Sequence, residues 1–357
     1  MFCIAVFIVL LLLSAVSAKY RKLLGKSWAC VARRVTFRPC DTTFSEEMKA
    51  TVLAPIAVRK PKLLKPAEIG LQVLSILIVL TTIWSLAYVA KAGTSLYVYG
   101  TCSPSKGDSC SLSSEACFAD SGRIGFWESV GTLQVGRWFA EEWQEDADLI
   151  AAIPNKIKNW NPDEYKLDNA TYLNEYDASK PTALEIIDPG CIFCGKLTKN
   201  ILESKFEDDY NLTYIAYPIA TDEGYKFPNS YLVASYLEAI RNNPLAGVET
   251  PVDWQILERI YTEKDPKGLV WQARINNSDA EQTETYLTEW LGEFGYSDEQ
   301  VAEITAAAHS QETKDALAKS ADIVKNEIKT IAIPTFMADG QRFDKVVSVE
   351  DLKKLSE

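Results

Sequence analysis

The chain has 357 residues, 8 cysteines, a single histidine (His309) and a formal net charge of −12. One histidine removes Ser-His-Asp and Cys-His hydrolysis from consideration, since both need an imidazole held beside the nucleophile. It also leaves too few ligands for a zinc site built on the one C-x-x-C present, so neither a metal nor a cofactor is expected, and His309 reads as a surface residue in an Ala-rich helix.

Taken in chain order, Phe2 to Ala18 is an almost continuous apolar run, and Ile69 to Ala90 is a second, long enough to cross a bilayer as a helix. Val16-Ser17-Ala18 also fits a signal-peptidase site, so residues 1–18 are read as a transmembrane helix or a signal-like segment. Residues 19–68 between the runs hold 12 Lys plus Arg against 4 Asp plus Glu, whereas residues 69–357 hold 25 against 45. Short basic loops are retained in the cytoplasm. The split therefore favours two retained helices, a cytoplasmic basic loop able to touch anionic lipid headgroups, and an acidic domain outside. Cleavage after Ala18 would reverse the second helix. The loop is too short and lacks the fold signals for a nucleic-acid module, so the expected partner is the lipid bilayer and not nucleic acid.

Residues 91–180 read as a Cys- and Trp-containing extracytoplasmic connector. Cys30 and Cys40 fall in the cytoplasmic loop and should be reduced, while Cys102, Cys110 and Cys117 follow the second helix in a compartment where thiols pair. Three is odd. Cys3, at the outer end of the first helix, makes four candidates for structural disulfides; alternatively one of the three exchanges disulfides with Cys191 or with a membrane redox partner. Trp127, Trp138, Phe139, Trp143 and Trp160, interspersed with acids, read as core or interfacial packing, with a docking face for a membrane partner as the sharper reading. Asn155 to Lys180 reads as a loop-rich lead into the next domain, residues 181–357.

That domain opens on the apolar run Ala183 to Ile187, followed by Cys191-Ile-Phe-Cys194 and a helix-like stretch. A dithiol at a helix start lies against unpaired N–H groups and the positive end of the helix dipole, which favour thiolate over thiol. Cys191 is then the exposed nucleophile and Cys194, one turn further in, the resolving thiol. Far downstream, Ile331-Ala-Ile-Pro334-Thr335-Phe336 is a β-rich run broken by a proline, which belongs at an edge, a bulge or a cis turn.

With these two elements the chain resembles the thioredoxin superfamily, whose members place a cis-proline loop beside the dithiol. The resemblance implies that Pro334 shapes a substrate groove with Ile333 and Thr335 beside it. It also implies that Met337 to Gly340 turns a hairpin and that Ser348 to Asp351 opens a closing helix. Between Cys194 and Pro334 lie 139 residues, more than plain thioredoxins have, and the excess carries helical stripes. These are Tyr231 to Ile240, Trp254 to Tyr261, Tyr286 to Leu291, and one or two more from Val301 to Lys329. A helical insertion of about residues 222–329, after a strand at Leu212 to Tyr217, resembles the DsbA-like branch. The expected fold is α/β and thioredoxin-like with a helical insertion, preceded by two transmembrane helices.

The resemblance would also place a buried acid behind the dithiol, where Glu185 stands. A carboxylate inside a strand is costly without a partner or a function. If buried, it would take the proton of Cys194 as the mixed disulfide resolves; strand alternation equally permits it to face outward. The Ile-Phe dipeptide departs from the Pro-His of strongly oxidising relatives and the Gly-Pro of thioredoxins. No histidine holds the Cys191 thiolate, Lys196 being the nearest cation in sequence, and a less stabilised thiolate makes a less oxidising disulfide. The expectation is a membrane-anchored, extracytoplasmic thiol:disulfide oxidoreductase acting on exported protein thiols together with a membrane redox partner. The alternative is a redox-inert subunit that assists assembly of a membrane complex.

Overall fold

The computed structural model describes residues 2–16, 24–25, 27–29, 31, 42–102, 116–118 and 123–356. It divides into two compact units, residues 1–91 and 92–357.

The first unit holds α1 (Phe2–Val16), α2 (Thr42–Arg59) and most of α3 (Leu64–Tyr99), which a 3-10 turn at Pro61–Leu63 precedes. Among the described residues one helix is long and apolar enough to cross a membrane, the span Pro61–Tyr99. It exposes apolar side chains at consecutive positions, among them Ile76 with Leu77 and Ile83 with Trp84. These exposed apolar side chains lie to either side of a narrow buried stripe at Ser75 and Val79, a wider apolar surface than a surface helix of a soluble domain shows. The first apolar run is helical over 15 residues, about 22 Å at 1.5 Å per residue, short of the roughly 30 Å hydrocarbon core. Its last two expected residues, Ser17 and Ala18, lie outside the described residues, as do Cys30, Cys40, Cys110 and the side chain of Cys3.

The second unit takes in the end of α3 and continues with a two-residue strand, β1 (Cys117–Phe118), and the helices α4 (Phe126–Gly131) and α5 (Val135–Ala152). The tryptophan stripe, expected chiefly as packing, divides. Trp160 is buried, but Trp127 of α4 is exposed, and so are Phe139 and Trp143, because α5 turns Glu145, Leu149 and Ala152 inward instead. Glu145 is held there by Arg123 at 2.7 Å. The stretch expected as a loop-rich connector contains two 3-10 turns and sends Trp160, Tyr165 and Leu173 into the main core of this unit. The Trp160 N–H donates to the Gly340 carbonyl at 2.8 Å.

The core sheet is built from β2 (Thr182–Ile187) and β3 (Asn211–Ala216), which are parallel and joined by α6 (Ile192–Ser204). A parallel pair needs such a crossover, and β2 is buried along its whole length, so it reads as an apolar run with one acid in it. A small hairpin, β4 (Ala220–Thr221) and β5 (Gly224–Tyr225), leads into the insertion. Its helices are α7 (Ser230–Asn242), α8 (Val252–Thr262), α9 (Trp271–Asn276), α10 (Ala280–Phe294), α11 (Asp298–Ala308) and α12 (Gln311–Asp322), closed by a π turn at Ile323–Ile328. Gly295, Ser297 and Ser310 punctuate it: a left-handed C-cap follows α10, and serine N-caps open α11 and α12. A buried ionic contact fixes the insertion to the sheet. Asp253 of α8 accepts from the Tyr214 hydroxyl of β3 at 2.9 Å and from Arg241 of α7 at 3.3 Å. Arg241 also donates to the Tyr214 carbonyl at 3.0 Å. Arg241 also lies 3.7 Å from the buried Glu238, so removing Arg241 would leave two buried acids without their cation.

After the insertion come β6 (Ala332–Ile333), β7 (Thr335–Ala338), β8 (Gln341–Phe343) and α13 (Val349–Leu355). The sheet order is β3-β2-β7-β8, with β7 antiparallel to both neighbours. Asp339 and Gly340 both have positive φ, 48° and 72°, as a two-residue hairpin turn requires. Ser348 caps α13 by accepting from the Asp351 N–H. Strand, helix, strand, then hairpin and helix around a cis-proline is the thioredoxin fold, and the helical insertion lies ahead of the last three strands, between β5 and β6, as expected from the sequence.

Candidate active site

The site forms where β2 ends and α6 begins. The chain leaves the sheet at Ile187, turns through Asp188-Pro189-Gly190, and Cys191 is the N-cap of α6, its N–H donating to the Asp188 carbonyl at 2.9 Å. The insertion holds this loop by its carbonyls. Tyr261 of α8 donates to Asp188 O at 3.2 Å, and Gln272 of α9 to Pro189 O at 3.1 Å and Cys191 O at 2.9 Å. Asn276 of α9 donates to Gly190 O at 2.9 Å. A Cβ on Gly190 would come within 2.3 Å of the Phe227 Cβ and 2.8 Å of the Asn276 Oδ1. Phe227 would have to move at its root, not at a flexible tip. Gly190→Ala is therefore expected to cost about 1–3 kcal/mol, the range for overpacking, and to slow exchange at Cys191. Chemical denaturation reads the first effect and peptide-thiol exchange the second; wild-type values in both would show that Phe227 yields freely.

The Ile333–Pro334 peptide is cis, and Ile333 lies against the dithiol loop: the Cys191 Sγ is 3.6 Å from the Ile333 carbonyl oxygen. Thr335, expected beside the groove, is fully buried. Its hydroxyl contacts Thr330 Oγ1 and Ala332 O at 2.7 Å each and Asp344 Oδ1 at 3.1 Å, so it braces the loop from inside. Asp344 is in turn held by Arg342 at 2.7 Å.

The cysteines are arranged otherwise than expected. Cys191 is fully buried and is bonded to Cys117, not to Cys194. The reason is β1, which lies antiparallel along β6 with Cys117 opposite Ile333 and Phe118 opposite Ala332. Cys117, one of the four structural-disulfide candidates, is thus a partner of the dithiol. Cys102 is also disulfide-bonded. Sequence reasoning kept exchange between this group and Cys191 open, on the odd count alone; what selects Cys117 is its strand register.

Cys194 is the one free thiol among the described residues and is fully buried. Burial pushes its pKa well up, Asp188 and Glu185 add to this, and the Asp188 N–H, donating to its Sγ at 3.4 Å, opposes it. Glu185 sits mid-strand, 1% exposed, between Tyr214 of β3 and Phe336 of β7 in register. Its Oε2 has no hydrogen-bond partner, and burial alone pushes its pKa up to about 8. Asp188 is a second buried acid that sequence reasoning missed. Burial pushes it up to about 6 against the pull of Ser230, the Ile219 N–H and the Gly190 N–H. Its only signal in the sequence was its place, three residues before Cys191.

Chemically, the arrangement sets one sulfur, Cys191, between two candidate partners: Cys117 from the groove side, and Cys194 from the core side. Beside it Ile192 is 68% exposed, while Phe193 packs on the core, so the Ile-Phe dipeptide presents one apolar side chain outward. Lys196 is exposed on α6.

No family model matches this chain, and no curated protein matches it. Among solved structures it is similar to a thioredoxin-like oxidoreductase from Silicibacter pomeroyi, with 17% identity, 55% of this chain and 95% of that chain covered, and a TM-score of 0.38. It is similar also to the thiol-disulfide oxidoreductase MdbA from Corynebacterium diphtheriae (13% identity, 53% and 90% covered, TM-score 0.39). A third is alpha-DsbA1 from Wolbachia pipientis (12% identity, 55% and 95% covered, TM-score 0.38). The thioredoxin fold of this chain stands on its own strand order, crossover helix and cis-proline.

Proposed function

We infer that the protein is a thiol:disulfide oxidoreductase, anchored in a membrane and acting outside the cytoplasm on the thiols of exported proteins. The observation that carries the reading is the position of Cys191. Its sulfur is already in a disulfide at a helix N-terminus beside a cis-proline, with a free thiol one helical turn beneath it. In this reading Cys191 exchanges with the client, Cys194 resolves, Pro334 and Ile333 shape the groove, and Glu185 relays the proton that Cys194 gives up.

The Pro61–Tyr99 helix supplies an anchor, and the first apolar run would be a second crossing. The basic charge of residues 19–68 would keep that stretch in the cytoplasm and send the redox unit out. The exposed aromatic side chains of α4 and α5 suit a membrane redox partner or the headgroup zone. Direction of transfer leans towards oxidation. Equilibrating the full-length protein in detergent with glutathione buffers tests the reading. A Cys191 couple near about −120 mV marks a disulfide donor and one near about −270 mV a reductase, whereas no exchange at Cys191 in any buffer would sink it in favour of a scaffold.

A further inference from the structure

Resting on that reading, we propose that Cys117 is a third redox-active cysteine, carried on an internal substrate strand that occupies the groove until Cys194 displaces it. A disulfide, a backbone ladder, apolar packing and a hydrogen bond place the strand there. Cys117 is bonded to Cys191, its backbone pairs antiparallel with Ile333 of the cis-proline loop, and Phe118 pairs with Ala332. The side chains of Ala116 and Phe118 are buried against Ala332 and Ile331, and Lys226 donates to the Phe118 carbonyl at 3.1 Å. A structural cross-link needs none of the strand pairing, and it would not be made to the sulfur next to the only free thiol described. The strand therefore stands where an extended client peptide would have to lie, covering Cys191.

The exchange is redox-neutral. The Cys194 thiolate attacks the Cys191 Sγ; the Cys191–Cys194 bond forms as the Cys117–Cys191 bond breaks, and the electron pair leaves on the Cys117 sulfur. One proton is lost at Cys194 and one is taken up at Cys117. One disulfide replaces another, so no oxidant or reductant is consumed. After it, the β6 edge is uncovered and Cys191 carries a disulfide that an incoming client thiolate attacks. The internal strand also indicates the client: an extended segment with a small residue before its cysteine and an aromatic one after it, as in Ala116-Cys117-Phe118.

The test uses full-length protein in detergent, rapid alkylation and disulfide mapping, with an acetylated Ala-Cys-Phe peptide as the thiol probe. Wild type should yield both Cys117–Cys191 and Cys191–Cys194 linkages, interconverting at constant total disulfide, and Cys194→Ser should yield the first alone. Cys117→Ser should form the probe's mixed disulfide at Cys191 at least tenfold faster than wild type. Recovery of Cys117–Cys191 in wild type without any conversion, or an unchanged probe rate in Cys117→Ser, would overturn the proposal and leave the oxidoreductase reading standing. Failure of every form to exchange at Cys191 would overturn both.

Discussion

Cys191→Ser is expected to abolish exchange with cysteine peptides, by roughly 10³-fold or more, because a hydroxyl cannot form the covalent intermediate on which the reaction depends. The same substitution removes the Cys117–Cys191 cross-link, which spans a sequence separation of 74 residues. On the chain-entropy model a loop of that size is worth about 4 kcal/mol, and measured values are often smaller. The two effects separate by comparison with Cys117→Ser, which loses the same cross-link but keeps the nucleophile. If Cys191→Ser and Cys117→Ser lose stability alike and only the former loses exchange, Cys191 is the reacting sulfur. If Cys191→Ser retains peptide exchange, the chemistry lies elsewhere and the site assignment fails. If exchange is absent from wild type as well, the scaffold alternative gains.

Glu185→Gln should change stability and rate in opposite directions. The Glu185 carboxyl is pushed up to about 8 by burial, from 4.5, so between those values the folded state binds more protons than the unfolded one. Stability therefore falls as pH rises from about 4.5 to about 8 and levels off above, since a proton must be retained or a charge buried. At 1.36 kcal/mol per unit this costs the wild type about 3 kcal/mol at pH 7 and about 5 kcal/mol above pH 8. Gln keeps the shape and cannot ionise. The variant should match wild type near pH 4, gain on it steadily, and be several kcal/mol more stable at pH 8 in chemical denaturation. Its resolution step should be slower, and the rise in rate that wild type shows as Glu185 loses its proton near pH 8 should flatten. Parallel stability curves at all pH values would show that Glu185 is not a buried acid. A normal rate profile in a stabilised variant would leave it buried but without a part in proton transfer.

Legibility divided along the distance over which each feature is specified. The insertion helices followed from stripes at three- and four-residue steps, and α7, α8 and α10 enclose the stretches read for them, because an amphipathic period is a local property of the chain. The hairpin at Asp339-Gly340 and the cap at Ser348 were likewise local. The tryptophan stripe was not. A period says that a helix has an apolar face but not whether anything covers it, and α5 leaves Phe139 and Trp143 exposed while burying Glu145 against Arg123. Thr335 stood beside the proline in sequence, yet its hydroxyl turned to Asp344 and Thr330, partners that only the closed loop supplies.

The sequence by itself determined the chemistry available: a C-x-x-C at a strand-to-helix junction, a proline in a late strand, one acid in an apolar run, and an apolar helix after a basic stretch. Only the tertiary structure decided which sulfur meets which. Bonding of Cys117 to Cys191 depends on β1 adding to the β6 edge in one register, and backbone hydrogen bonding between distant segments leaves no local periodic trace. The same holds for the loop clamps Tyr261, Gln272 and Asn276, which lie more than 70 residues from the carbonyls they hold. Their roles exist only once the insertion has packed, since hydrogen bonds to a buried loop are set by where helices dock and not by the residues that precede or follow them.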